Sequence, residues 1–176
     1  DGCPYFLFVG SLHPRKNLEG LLEAYELYRA QGGEYELLIV GAGMWTASET
    51  QADSVHYAGR LGREELAEVM REAEGLVFVP WFEGFGVPIV AAFASGVPVI
   101  ASNTTAMPEV CGGAAVALVD PADVNEIAEA MKQLESGGAL RNRAVEAGLE
   151  RAKEFSWDAS ARRLMGSIET VLAAHA

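Results

Sequence analysis

Residues 81–96 read WFEGFGVPIVAAFASG and stand directly after the apolar run GLVFV at 75–79. A short continuous run of this kind, with no polar alternation, predicts a strand buried on both faces. It opens into a turn holding Glu83, with Gly84 and Gly86 on either side of Phe85, then a proline and an Ala-rich segment that predicts a helix. In an open parallel α/β sheet, ligands gather at such strand-to-helix turns, where free backbone N–H groups and the positive end of the helix dipole favour anionic groups.

The same alternation extends outward in both directions. Upstream, YFLFV at 5–9 predicts a first buried strand closed by Gly10, followed by the turn GSLHPRKN, in which Asn17 is placed to cap a helix. Leu18, Leu21, Leu22, Tyr25 and Tyr28 keep the spacing of one apolar helical face, and Gly32-Gly33 ends it. YELLIV at 35–40 predicts the second strand, ended by Gly41-Ala42-Gly43. The polar residues 44–54 around Trp45 read as a loop or short helix. VHYA at 55–58 is a third strand, ended by Gly59-Arg60. From Arg63 to Ala73, Leu66, Val69 and Met70 oppose four glutamates, the pattern of an amphipathic surface helix.

Downstream, VPVIA at 97–101 is the fifth strand, NTTAMPE at 103–109 a polar loop, and AVALV at 115–119 a sixth strand. Asp120-Pro121-Ala122-Asp123 forms a turn able to cap the next of three helices, the last of which spans about Trp157 to Ala173. Parallel strands require crossover helices, so six strands alternating with helices predict an α/β, Rossmann-like, doubly wound parallel sheet with helices on both faces. Residues 1–176 are expected to form one domain, of a size that also suits the large half of a two-domain enzyme. The chain begins almost at once with a strand, which reads as a fragment of a longer protein.

Half of the residues are hydrophobic and nineteen are Gly, as a globular core with many turns requires. The net charge of −12 argues against general binding to nucleic acid or to an anionic membrane. The cations are unevenly spread, however: none lies between Arg71 and Lys132, while Arg15, Lys16, Arg60 and Arg63 fall at turns of the first half. That pattern leaves room for a local anion site on an acidic protein. Cys3 and Cys111 lack metal-site spacing and read as free thiols of a reducing, cytoplasmic compartment. No apolar run reaches the roughly 18 residues of a membrane span, and no signal peptide is visible.

Several constellations bear on chemistry. Arg15 and Lys16, between a buried strand and a helix start, set two cations beside free amides in a geometry suited to phosphate. Taken alone, such a pair more often just solvates a loop. Glu83, at the carboxyl end of a buried strand, is placed to accept hydrogen bonds from ligand hydroxyls or from turn amides, though an exposed loop carboxylate explains it too. Glu109 reads as well as a first-turn residue after Pro108 as a ligand group. GAGMWT has Thr46 where a dinucleotide fingerprint needs its third glycine, and FEGFG is only a GxG, so a nicotinamide oxidoreductase is poorly supported. The three histidines are too scattered for a metal or catalytic cluster. Trp81, Phe82 and Phe85 read more readily as packing than as a stacking platform.

Taken together, FVGSLHPRKNLEGLLEAY, LLIVGAG, the long stretch from VHYAGRLGREELAEVM through EGFGVPIVAAFASGVPVIASNTTAMPEV, and ALVDPADVNEIAEAM resemble the carboxy-terminal, nucleotide-sugar-binding domain of GT-B retaining glycosyltransferases, specifically glycosyltransferase family four. The resemblance covers nearly the whole chain. It implies that Arg15 and Lys16 bind the donor diphosphate and stabilise its departure, with Gly10 and Ser11 in the backbone that approaches the phosphates. It places Arg60 and Leu61 beside the nucleobase. Glu83, Gly84, Phe85, Gly86 and Val87 contact the transferred sugar and the distal phosphate. The family's second acid, eight residues after the first, holds the ribose; here that position is Ala91. Loss of that carboxylate weakens donor binding by on the order of 1–3 kcal/mol. The alternative is a non-catalytic interaction or regulatory module that keeps the fold. No metal or further cofactor is implied. The implied partners are the nucleotide-sugar donor and an amino-terminal GT-B domain that carries the acceptor; nucleic acid is not among them. Peripheral membrane association of the full-length protein stays open, as does oligomeric state.

Overall fold

A computed structural model describes residues 2–43 and 53–175. Six strands, β1 (Tyr5–Val9), β2 (Glu36–Val40), β3 (Val55–Gly59), β4 (Gly75–Phe78), β5 (Val99–Ser102) and β6 (Ala117–Val119), form one sheet in the order β3-β2-β1-β4-β5-β6. Every pairing is parallel, so all six carboxyl ends lie along one edge. The loop read at 44–54 falls largely outside the described residues.

Because side chains alternate along a strand, each buried strand feeds two cores. On one face Phe6, Phe8, Leu37, Ile39, Val77, Val79 and Ile100 pack against α1 (Leu18–Ala30) and α5 (Val124–Glu135). On the other, Leu7, Val40, Leu76, Phe78, Val99 and Ala101 meet α2 (Arg63–Glu72), α3 (Val87–Ala94) and α4 (Met107–Cys111). This is why the strands read as largely apolar runs: burial of each Phe or Leu on either face stabilises by roughly 1.5–3 kcal/mol. The expected doubly wound sheet is therefore present, with helices on both sides.

Two local readings change. Residues 103–109 are not loop throughout, since Met107 already starts α4, where Pro108 and Glu109 occupy the first turn. Its short apolar face, Met107, Val110 and Cys111, was too brief to show a helical period; Cys111 is buried there, which pushes its thiol up to about 12. Asn17 stands at the start of α1 but makes no capping bond, for its backbone is left-handed at φ 56°. Its buried amide instead donates to the carbonyls of Val79 at 3.1 Å and Pro121 at 2.8 Å. By contrast Asp123 caps α5 as expected, accepting from the N–H groups of Asn125 and Glu126.

After α5 come α6 (Gly138–Ala152) and α7 (Trp157–Ala174). The stripe of α7 formed by Leu164, Met165, Ile168, Val171 and Leu172 is exposed, and Trp157 is 91% exposed. No helix among the described residues is long and apolar enough to cross a membrane.

Candidate functional site

In this strand order the chain leaves β1 toward one side of the sheet and β4 toward the other, so a crevice opens above the carboxyl ends of these two neighbours. Two segments meet in it. After β1, Gly10 and Ser11 lead to a single 3-10 turn, Pro14–Lys16, started by His13, whose Nδ1 accepts from the Arg15 N–H. After β4 comes the loop that carries Glu83. The segments are stitched together by the Trp81 N–H, which donates to the Arg15 carbonyl at 2.9 Å, and by the Asn17 amide on Val79.

Arg15, Lys16 and Glu83, distant in sequence, form one cluster. The buried Lys16 ammonium donates to Glu83 Oε2 and lies 4.9 Å from the centroid of the Phe78 ring, a cation–π contact. Arg15 Nη1 reaches the same oxygen at 3.2 Å and the Phe82 carbonyl at 3.3 Å. The Gly84 N–H donates to Glu83 Oε1 at 3.2 Å, and the Glu83 N–H donates to Thr105 Oγ1 at 3.4 Å. Two cations against one carboxylate leave the mouth of the crevice net positive on a strongly acidic protein. A buried ammonium is costly unless paired, and Glu83 supplies that pair.

Burial opposes ionisation of Glu83, but the hydrogen bond and charge of Lys16, the charge of Arg15 and the Gly84 N–H together outweigh it and hold the carboxyl below the ordinary value of 4.5. A depressed native value means that the unfolded chain takes up the proton first, so this contribution to stability is present above pH 4.5 and is lost as pH falls through the native value. The stability gap between the wild type and Glu83→Gln, measured by denaturant unfolding, is therefore expected to be constant near neutrality and to shrink below pH 4.5. A gap unchanged into the acid range would show that Glu83 ionises no more easily than in the unfolded chain.

Gly86, at φ 87°, starts α3 in a left-handed conformation that favours glycine, and a Cβ there would stand 2.9 Å from Met107 Cε. Val87 and Ala91 are both exposed and one helical turn apart, so position 91 looks out on the side of α3 that continues from the loop. Arg60 and Leu61 follow β3, two strands from β1 and thus about 10 Å along the same edge, and lie outside the cluster. Phe82, 61% exposed, and Trp81, 48% exposed, overturn the packing interpretation for those two rings, whereas Phe85, half-exposed, does pack on another ring. Glu109 serves α4, its carbonyl accepting from Arg151 Nη2 at 2.6 Å. Thr105 escaped the sequence reading, and Asn17 was seen there only as a cap, because their partners come from remote segments.

The family model described as glycosyl transferases group 1 matches residues 3–136. The chain belongs to this family. It is 36% identical over 163 residues to the O-antigen chain mannosyltransferase B of Escherichia coli, covering 88% of this chain and 42% of that protein. The sucrose-phosphate synthase structure from Thermosynechococcus elongatus superposes with a TM-score of 0.77 at 25% identity, covering 98% of this chain and 46% of that one. The C-terminal domain of a group 1 glycosyl transferase from Francisella tularensis superposes with a TM-score of 0.74 at 20% identity, covering 87% of both chains. This group 1 glycosyltransferase chain thus has the GT-B C-terminal domain fold, and it spans less than half the length of the full-length relatives it matches.

Proposed function

We propose that this chain is the donor-binding domain of a retaining glycosyltransferase, which moves a sugar from a nucleoside-diphosphate sugar to an acceptor hydroxyl. The observation that carries the reading is the Arg15–Lys16–Glu83 cluster at the switch point of the sheet. Breaking the bond between the anomeric carbon and the diphosphate oxygen leaves both bonding electrons, and so negative charge, on the phosphate. Arg15 and Lys16 are the cations placed to stabilise it as it develops. With the diphosphate bound to them, Glu83 is released to accept from hydroxyls of the sugar, and Gly84 to Val87 offer backbone N–H groups. The side-chain-free Gly10 and adjacent Ser11 admit the phosphates, and Arg60 and Leu61 flank the base. The acceptor oxygen bonds the anomeric carbon on the face the diphosphate leaves, preserving configuration, and its proton passes to the departing phosphate oxygen; no cofactor is assigned a part.

The mannosyltransferase relative makes a mannosyl donor the first candidate. The exposed apolar stripe of α7 and the greater length of the relatives support a second, amino-terminal domain that carries the acceptor and covers this surface. A cytoplasmic location belongs to the same proposal. A second reading, a non-catalytic module, draws on the missing carboxylate at Ala91.

Thermal-shift and calorimetric titration of this chain with ADP, GDP, UDP and their hexose conjugates tests the proposal. One nucleotide is expected to bind saturably and, at a hundred times its Kd, to add about 2.7 kcal/mol of stability. A folded sample that binds none of them would refute it. The chain alone is expected to transfer no sugar.

A further inference from the structure

Phe85 stands in the loop between Gly84 and Gly86, residues that leave the backbone conformationally free. A loop meant to hold Glu83 and the Gly84 N–H in place needs support from outside itself. Behind it lies a cavity of about 280 Å³, lined by Gly84, Phe85, Glu109, Arg151, Phe155 and Arg163 among others, into which the loop has room to move. One ring stands in the way. Phe155 meets Phe85 edge to face, with centroids 5.7 Å apart and planes at 85°.

Phe155 comes from the short turn Lys153–Phe155 between α6 and α7, far from the loop in sequence. It is seated by Arg151, whose guanidinium lies 4.9 Å from the Phe155 ring centroid. Arg151 is itself fixed, Nε donating to the Val110 carbonyl at 3.1 Å, Nη2 to the Glu109 carbonyl at 2.6 Å and Nη1 to Glu154 at 2.6 Å. The space for it exists because Gly112, at φ 55°, has no side chain; a Cβ there would lie 2.6 Å from Arg151 Nε. Those carbonyls belong to α4, the helix whose Met107 underlies Gly86 and whose preceding Thr105 accepts from the Glu83 N–H. Arg151 therefore ties together both supports of the loop, α4 on one side and Phe155 on the other.

We infer that Phe155, seated by Arg151, is a positioning residue for the loop carrying Glu83, holding Phe85 and through it the Gly84 N–H and the Glu83 carboxylate in place for the donor. The inference rests on the proposed function for the nature of the ligand, not for the mechanical link. Amide hydrogen exchange in the free chain reads the link directly, and titration with whichever of ADP, GDP or UDP the wild type binds reads its consequence.

In Phe155→Leu the amides of Gly84, Phe85 and Gly86 are expected to exchange roughly three- to tenfold faster, with nucleotide affinity reduced by a similar factor. Amides of β1 and β4 keep their wild-type rates, and Phe155→Tyr, which retains the ring, restores both readouts. The double variant Phe85→Leu/Phe155→Leu is expected to be no faster than either single one, because each removes the same contact. Arg151→Gln, which unseats the ring without removing it, should speed the same amides and carries the comparison if Phe155→Leu does not fold. Wild-type loop exchange in these variants, additive effects in the double variant, or equal acceleration of the β1 and β4 amides would each overturn the inference. If the wild type binds no nucleotide, the proposed function falls while the exchange rates still decide the positioning role.

Discussion

Lys16→Ala is expected to weaken nucleoside-diphosphate binding on the order of 100-fold, about 2.7 kcal/mol. Two effects act in the same direction. The variant loses a charge-assisted hydrogen bond from a buried ammonium, the kind of contact worth about 1.5–3 kcal/mol because little water competes for it. It also strips Glu83 of the partner that holds its carboxyl down, leaving a less compensated negative charge beside the incoming phosphates. Arg15→Ala should cost less, since that side chain is 43% exposed and water replaces part of what it provides. Calorimetry of the two variants against the wild type checks both the size and the order. A Kd for Lys16→Ala within threefold of the wild type would remove the diphosphate from this crevice.

Ala91→Glu is expected to act in the opposite sense, tightening nucleotide binding by a factor of about 5 to 150, the equivalent of 1–3 kcal/mol. Position 91 is exposed and one turn beyond Val87, so a longer side chain meets no core, and glutamate is nearly as good a helix former as alanine. The new carboxylate would face the crevice, where a ribose diol offers two donors. The gain should vanish with a 2′,3′-dideoxy nucleoside diphosphate, which lacks both. Tightening that survives removal of the diol would mean that the carboxylate acts elsewhere. No gain, with no detectable ligand in the wild type, would favour the non-catalytic module.

Much of the fold could be read in the sequence for a definite reason. A strand buried on both faces must be apolar at every position, so YFLFV and GLVFV announce themselves without any partner being known. Parallel pairing follows from the helices between them. α4 was missed because five residues cannot display a helical period, and Asn17 was misread because a cap is the commonest local use of that residue. The exposed aromatics were misjudged for a related reason: beside a core strand, composition does not say which way a ring points.

The candidate site divides along the same line. Residue types and local turns determined that Arg15, Lys16 and Glu83 each stand at the carboxyl end of a strand, because strand ends and glycine turns are encoded within a few residues. Ala91 stands out as a missing acid only through the family resemblance, which implies a carboxylate eight residues after Glu83. Only the tertiary structure decided that β1 and β4 are neighbours and that both cations converge on one carboxylate oxygen. It also placed Phe155 behind Phe85, a contact across seventy positions that follows from the way α6 and α4 pack and leaves no periodic trace in the chain. Strand register and helix packing set such contacts, since they are the sum of many burial energies spread over the sheet and belong to no single segment.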